Sequence, residues 1–164
     1  MYAYCLFCQT VKCNFVAAAL EQQGALRAFS PKILLTRRQD GKNELVWKDF
    51  LPGYVFAFYS EEDPPAASFS RMPNVLRILG DAEDSYRLTG SDLTFALRLL
   101  EREGRINGIQ TREQGDRVLL DDPLFLGLQG EITRIDRRKQ RARVDFIFNQ
   151  TAYHTWVSLA DLQN

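Results

Sequence analysis

The stretch Phe50-Leu51-Pro52-Gly53-Tyr54-Val55-Phe56-Ala57-Phe58-Tyr59 decides how this chain is read. Seven of its ten residues are aromatic or large aliphatic, the composition of a buried strand. Pro52-Gly53 supplies the bend that a chain needs before entering a sheet. Charged Lys48-Asp49 and Ser60-Glu61-Glu62-Asp63 bound the run sharply. Side chains alternate along a strand, so Tyr54, Phe56 and Phe58 share one face and Val55, Ala57 and Tyr59 the other. Both faces are apolar, which predicts a strand covered on both sides. Alternation leaves open which face does more than pack.

Upstream, Tyr2 to Cys8 reads as a strand. Thr10 is the predicted N-cap of a helix over Val11 to Gln23 that Gly24 closes, with Phe15, Val16, Ala19 and Leu20 as its buried stripe. Ile33-Leu34-Leu35, after Pro31, reads as an edge-ward strand, and Asp40-Gly41 turns it into a return strand at Glu44 to Lys48. Arg37, Arg38 and Lys42 give that hairpin a basic tip. Downstream, Pro64-Pro65 suits the first turn of a short helix to Arg71, and Val75 to Leu79 reads as another strand. Ser91 caps a predicted helix to Glu103 with Leu93, Ala96, Leu97 and Leu100 on one face. The expected fold class is α+β: a sandwich over 1–104 with helices against a mostly antiparallel sheet, then a linker at 105–114 that lacks periodicity. From Gly115 the texture becomes short strands and tight turns, at Val118–Leu120, Glu131–Ile135, Arg141–Phe148 and Thr155–Leu159, which predicts a small all-β barrel over 115–164.

Composition narrows the function classes. Lys plus Arg and Asp plus Glu number 21 each in 164 residues, which excludes a uniformly basic nucleic-acid coat but not a local patch. No apolar run approaches the ~20 residues that span a bilayer, and no signal peptide is read, so no membrane partner and a cytoplasmic location are expected. Cys5-x-x-Cys8 suggests a zinc knuckle or a redox pair, yet beyond them stand only Cys13 and His154, and strand geometry sends Cys5 and Cys8 to opposite faces. Tetrahedral zinc takes four ligands, so buried reduced thiols are expected, with no metal and no cofactor. One histidine among scattered acids assembles no nucleophile–base pair, and no catalytic residue is named.

Leu51-Pro52-Gly53-Tyr54-Val55-Phe56, after a strand, a helix and a hairpin, resembles the signature of the NusG N-terminal domain. Gly115-Asp116-Arg117-Val118, followed by Phe125-x-Gly127-x-x-Gly130-x-Ile132, is similar to a KOW motif, the SH3-like barrel of the same family. Asp121-Asp122-Pro123 stands where the family more often has a Gly-Pro turn. The resemblance implies a transcription elongation or antitermination factor, of a specialised branch like RfaH or LoaP. Its N-terminal domain would dock on the clamp helices of the largest RNA polymerase subunit and suppress pausing or termination, through Phe7, Leu51, Tyr54 and Phe56 by motif position. Lys12 and Arg71 are candidates for the non-template DNA strand. In the barrel, Arg134, Arg137, Arg138, Lys139 and Arg141, with Arg143, set six cations against Asp136 alone between positions 134 and 143. That is either a footprint for nascent RNA or a solvated turn. The family also implies a ribosomal small-subunit protein or the Rho terminator as partner of the barrel. An adaptor for RNA or the ribosome acting through the barrel is the alternative function. A monomer is expected.

Overall fold

A computed structural model describes residues 1–60, 69–80 and 86–159. In chain order these form β1 (Tyr2–Cys8), α1 (Cys13–Gln22), β2 (Arg27–Phe29), β3 (Lys32–Gln39), β4 (Lys42–Asp49), β5 (Tyr54–Tyr59), β6 (Val75–Ile78), α2 (Gly90–Glu101), β7 (Arg105–Ile106), β8 (Thr111–Gln114), β9 (Arg117–Leu120), β10 (Glu131–Asp136), β11 (Arg141–Phe148) and β12 (Thr151–Ser158), with 3-10 turns at Thr10–Lys12 and Pro123–Phe125. The expected α+β class holds, with mostly antiparallel strands. Packing divides the chain into two compact units, Met1–Pro31 with Leu51–Leu97, and Lys32–Phe50 with Arg98–Asn164.

The first unit is built on a sheet of order β2-β5-β1-β6. Its centre is β5, and all six of its residues are buried, as a strand apolar on both faces requires. On one side Val55, Ala57 and Tyr59 join Tyr4, Leu6 and Cys8 in a core with Val16, Leu20, Phe69 and Met72. On the other, Phe56 lies 6.2 Å from Phe95 of α2 and 6.4 Å from Phe29 of β2. Both helices depart from the expected detail. Thr10 does not cap α1, because a 3-10 turn over Thr10–Lys12 precedes it and Lys12 occupies the N-cap. The buried stripe of α1 is Cys13, Val16, Ala17 and Leu20, leaving Phe15 60% exposed. In α2 the fully buried residues are Phe95, Ala96 and Leu99, one step round from the expected Leu93, Leu97 and Leu100. The short helix expected from Pro64 lies largely outside the described residues.

Two sheets and a hairpin build the second unit: β4-β3-β7, β10-β11-β12, and β8-β9. Strand β3 is not at an edge. It pairs along its whole length with β4 and, in parallel, at Lys32 and Ile33 with Arg105 and Ile106 of β7. The expected linker at 105–114 therefore carries β7 and β8. Ser158, at the end of β12, donates through Oγ to the carbonyl of Leu34 in β3. On β11, Ala142, Val144, Phe146 and Phe148 are buried in strict alternation. Phe50 stacks on Phe146 at 6.0 Å and 7° and meets Phe125 edge-on at 6.2 Å. The opening stretch thus supplies cores to both units: Phe50 to the second, Leu51 to Tyr59 to the first.

The three cysteines are free and buried. Burial, then the neighbouring Cys13, pushes the Cys8 thiol from 9.0 up to about 12. Burial, then Tyr4, moves the Tyr59 hydroxyl from 10.0 to about 12. Burial also raises Cys5. Below pH 9.0 these groups are neutral in both folded and unfolded chains. Between 9.0 and 12 the unfolded chain sheds protons that the folded one retains, so stability falls as pH rises through that window. Urea unfolding on either side of pH 9.0 is expected to show this loss, and a flat profile to pH 12 would contradict the burial of these groups.

Candidate docking and nucleic-acid surfaces

Phe7 and Tyr54 are opposite partners in the antiparallel β1–β5 register, and their rings sit 5.2 Å apart. Cross-strand pairing places them on one face, with Phe56 two residues along it. The turn into β5 is held against the same spot. Cys8 N–H donates to Gly53 O at 2.7 Å, and Tyr54 N–H to Leu51 O at 3.1 Å. Gly53 has φ +89°, and a Cβ there would stand 2.7 Å from Phe7 Cε2. The Arg77 guanidinium lies 5.4 Å from the centroid of the Phe7 ring.

Of the four expected polymerase-docking residues, Phe7, Leu51 and Tyr54 thus come together around one turn and Phe56 lies further along β5, and they differ in access. Phe7 is half-buried, whereas Leu51 is 3%, Tyr54 7% and Phe56 0% exposed. Phe56 is a core residue here, covered by Phe29 and Phe95. Sequence alternation names the face but cannot say how much of it is already packed.

Lys12 and Arg71 are exposed. The segments carrying them are joined where Gln9 N–H donates to Asn74 O at 2.9 Å. In the second unit the basic turn is shaped by Asp136, whose Oδ1 accepts from Lys139 N–H at 3.0 Å. Arg134, Arg137 and Arg138 are exposed and Lys139 is half-buried. Arg141 is committed otherwise: its guanidinium lies 4.6 Å from the centroid of Trp156 and its Nε 3.9 Å from Asp136 Oδ2. Arg143, opposite Trp156 across the strands, pairs with Asp145 at 3.0 Å. Trp156 is the residue that sequence reasoning missed in this cluster. Only the β11–β12 register shows that an aromatic ring sits among the arginines.

A cleft of about 880 Å³ in the second unit is lined by Trp47, Arg102, Arg105 and Asp122 among others. Asp122 is engaged by Arg102 and by the backbone N–H groups of Gln110 and Leu124, and Arg105 lies 5.5 Å from the centroid of Trp47. Among the described residues no group of three or more His, Cys, Asp or Glu is placed to hold a metal, and no helix is long and apolar enough to cross a membrane.

A family model described as transcription termination factor nusG matches residues 2–94. The transcription termination/antitermination protein NusG of Treponema pallidum (strain Nichols) is 28% identical over an alignment of 127 residues, with 70% of this chain and 66% of that protein covered. The chain therefore spans just under two thirds of that relative's length. A solved structure described as "Domain interaction in Thermotoga maritima NusG" superposes with a TM-score of 0.55, covering 98% of this chain and 94% of that one. At 17% identity the likeness speaks for the fold alone.

Proposed function

The chain belongs to the NusG family of transcription termination factors, and from that premise we propose that it binds RNA polymerase in the cytoplasm and lengthens transcription by suppressing pausing or termination. The observation that carries this reading is the convergence of Phe7, Leu51 and Tyr54 on the Gly53 turn, inside the segment that matches the family. An apolar spot of this kind suits the clamp helices of the largest subunit, since docked helices bury aromatic anchors in a hydrophobic contact. Residues 1–104 act in this reading as the docking module, 115–164 as the KOW module, and 105–114 connects them. In this reading the chain belongs to a specialised branch of the family.

Phe7 is the anchor accessible without rearrangement. Engaging Leu51, Tyr54 and Phe56 as well requires uncovering them, so association is expected below the about 10⁵–10⁷ M⁻¹s⁻¹ usual for preformed patches. Transcription through a terminator with purified polymerase tests the reading: the protein is expected to raise read-through or shorten pauses. Phe7→Ala is expected to lose about tenfold in polymerase affinity, the effect of removing one aromatic anchor. No change in read-through or pause lifetime would overturn the proposal. Aspartate at Leu51 or Tyr54 is a poor probe, because both are buried and a charge there would threaten the fold.

A second reading, an adaptor that holds nascent RNA or a ribosomal protein through the KOW module, is favoured by the exposed cations Arg134, Arg137 and Arg138 in the module where Arg141 lies over Trp156. Neutralising Arg137, Arg138 and Lys139 to glutamine separates the two. Read-through that survives supports the polymerase reading, and loss of a salt-dependent RNA complex supports the adaptor.

A further inference from the structure

Strand β4 is the outer strand of β4-β3-β7, so one of its edges has no neighbouring strand among the described residues. The two-residue turn Asp40-Gly41, with φ +50° and +77°, makes Gln39 and Lys42 the closing pair of the hairpin. Hydrogen bonding alternates from that pair, so Asn43, Leu45, Trp47 and Asp49 turn their backbone N–H and C=O groups to the free edge. The strand is exposed along most of its length, and its apolar residues are not hidden: Leu45 is 50% and Trp47 40% exposed. An edge of this kind is a template for another strand.

We propose that β4 pairs antiparallel with β4 of a second copy of this chain, about a two-fold axis through Val46. Such an axis, perpendicular to the sheet, keeps each face on its own side, so residue i meets residue 92 − i of the other copy. Leu45 then packs beside Trp47 of the second copy, and Trp47 beside its Leu45. On the opposite face the two Val46 residues meet, and each Glu44 lies against the other copy's Lys48. Leu45 and Trp47 exchange the hydrogen bonds that their free backbone groups offer.

Neighbouring registers are worse for a reason visible in the sequence. An axis through Leu45 sets Lys42 against Lys48, and one through Glu44 sets the two Glu44 carboxylates together. An axis through Trp47 puts Leu45 against Asp49 and Val46 against Lys48. Lysines on an edge strand commonly prevent pairing. Here the Val46 register gives each Lys48 a carboxylate instead, and like charges directly opposite, which destabilise a ladder, are absent. Glu44 already pairs with Arg37 at 3.2 Å on its own hairpin, and its carboxylate retains acceptor capacity for a second cation. The Arg105 guanidinium covers one face of the Trp47 ring, which leaves the other face and the ring edge for Leu45. A single strand edge buries less than the about 1,200 Å² of a stable interface, so the dimer is weak and concentration-dependent. This inference is independent of polymerase binding.

Sedimentation equilibrium of the full chain, from micromolar to millimolar concentration, tests it. The wild type is expected to self-associate. Glu44→Lys and Lys48→Glu, each replacing two attractions per dimer with two repulsions, are each expected to weaken it about tenfold. An equimolar mixture of the two variants is expected to recover wild-type strength, because lysines at 44 and 48 of one chain then face glutamates at 48 and 44 of the other. A wild type that stays monomeric, a single variant that associates as the wild type does, or a mixture as weak as its components overturns the proposal.

Discussion

Asp122→Ala is expected to destabilise the protein by about 3–5 kcal/mol, the range for removing one partner of a buried ion pair. The Asp122 side chain is 2% exposed. Its Oδ1 accepts from Leu124 N–H at 2.9 Å and from Arg102 Nη2 at 2.6 Å, and its Oδ2 accepts from Gln110 N–H at 2.9 Å. One carboxylate therefore caps the 3-10 turn Pro123–Phe125, fixes the segment entering β8, and neutralises the guanidinium of Arg102, in the turn that follows α2. Alanine leaves two backbone donors and one cation without their acceptor, and each unsatisfied buried group costs about 1–3 kcal/mol. Asp122→Asn keeps the shape and one acceptor but turns an N–H₂ group toward a donor, so a smaller loss is expected. Urea unfolding of the three proteins measures this. A loss under about 1 kcal/mol for the alanine variant would mean that water replaces the carboxylate easily.

Gly53→Ala is expected to cost about 2–5 kcal/mol, from two causes that add. The backbone sits at φ +89°, where an L side chain is strained by about 1–2 kcal/mol. The new methyl also meets Phe7 Cε2 at 2.7 Å and Cys8 O at 3.2 Å, an overpacking of the kind that costs about 1–3 kcal/mol. The ring cannot swing away freely, with Tyr54 5.2 Å off and the Arg77 guanidinium 5.4 Å from its centroid. Thermal unfolding should show a fall of about 4–20 °C for a chain of this size. In the polymerase reading the variant also loses affinity beyond its lost stability, because the displaced ring is the accessible anchor. A variant with an unchanged melting temperature would show that the turn relaxes without strain.

Much of the fold was legible where the signal is local. Tyr2–Cys8 and Arg141–Phe148 form strands with the expected bounds. The Asp40-Gly41 turn stands between β3 and β4 as expected. Helix faces were less legible. Cys13 took the place expected for Phe15, since a small thiol faces the sheet while the phenyl ring is left to solvent. In α2, a shift of the stripe to Phe95 and Leu99 brings Phe95 over Phe56. Both helices carry more apolar residues than one stripe needs, and periodicity alone cannot choose among them.

By itself, the sequence determined the strands, the hairpin turn, the all-round apolar character of Tyr54–Tyr59 and the two motifs that mark the family. These rest on side-chain period, turn chemistry and residue type, all encoded within a few positions. Only the tertiary structure decided what covers each face and which edge stays open. It grouped Lys32–Phe50 with residues beyond Arg98, paired Lys32 with Arg105, buried Leu51, Tyr54 and Phe56, and left β4 with a free edge bearing Leu45 and Trp47. Those outcomes depend on contacts between residues far apart in the chain, where no local pattern can specify the partner.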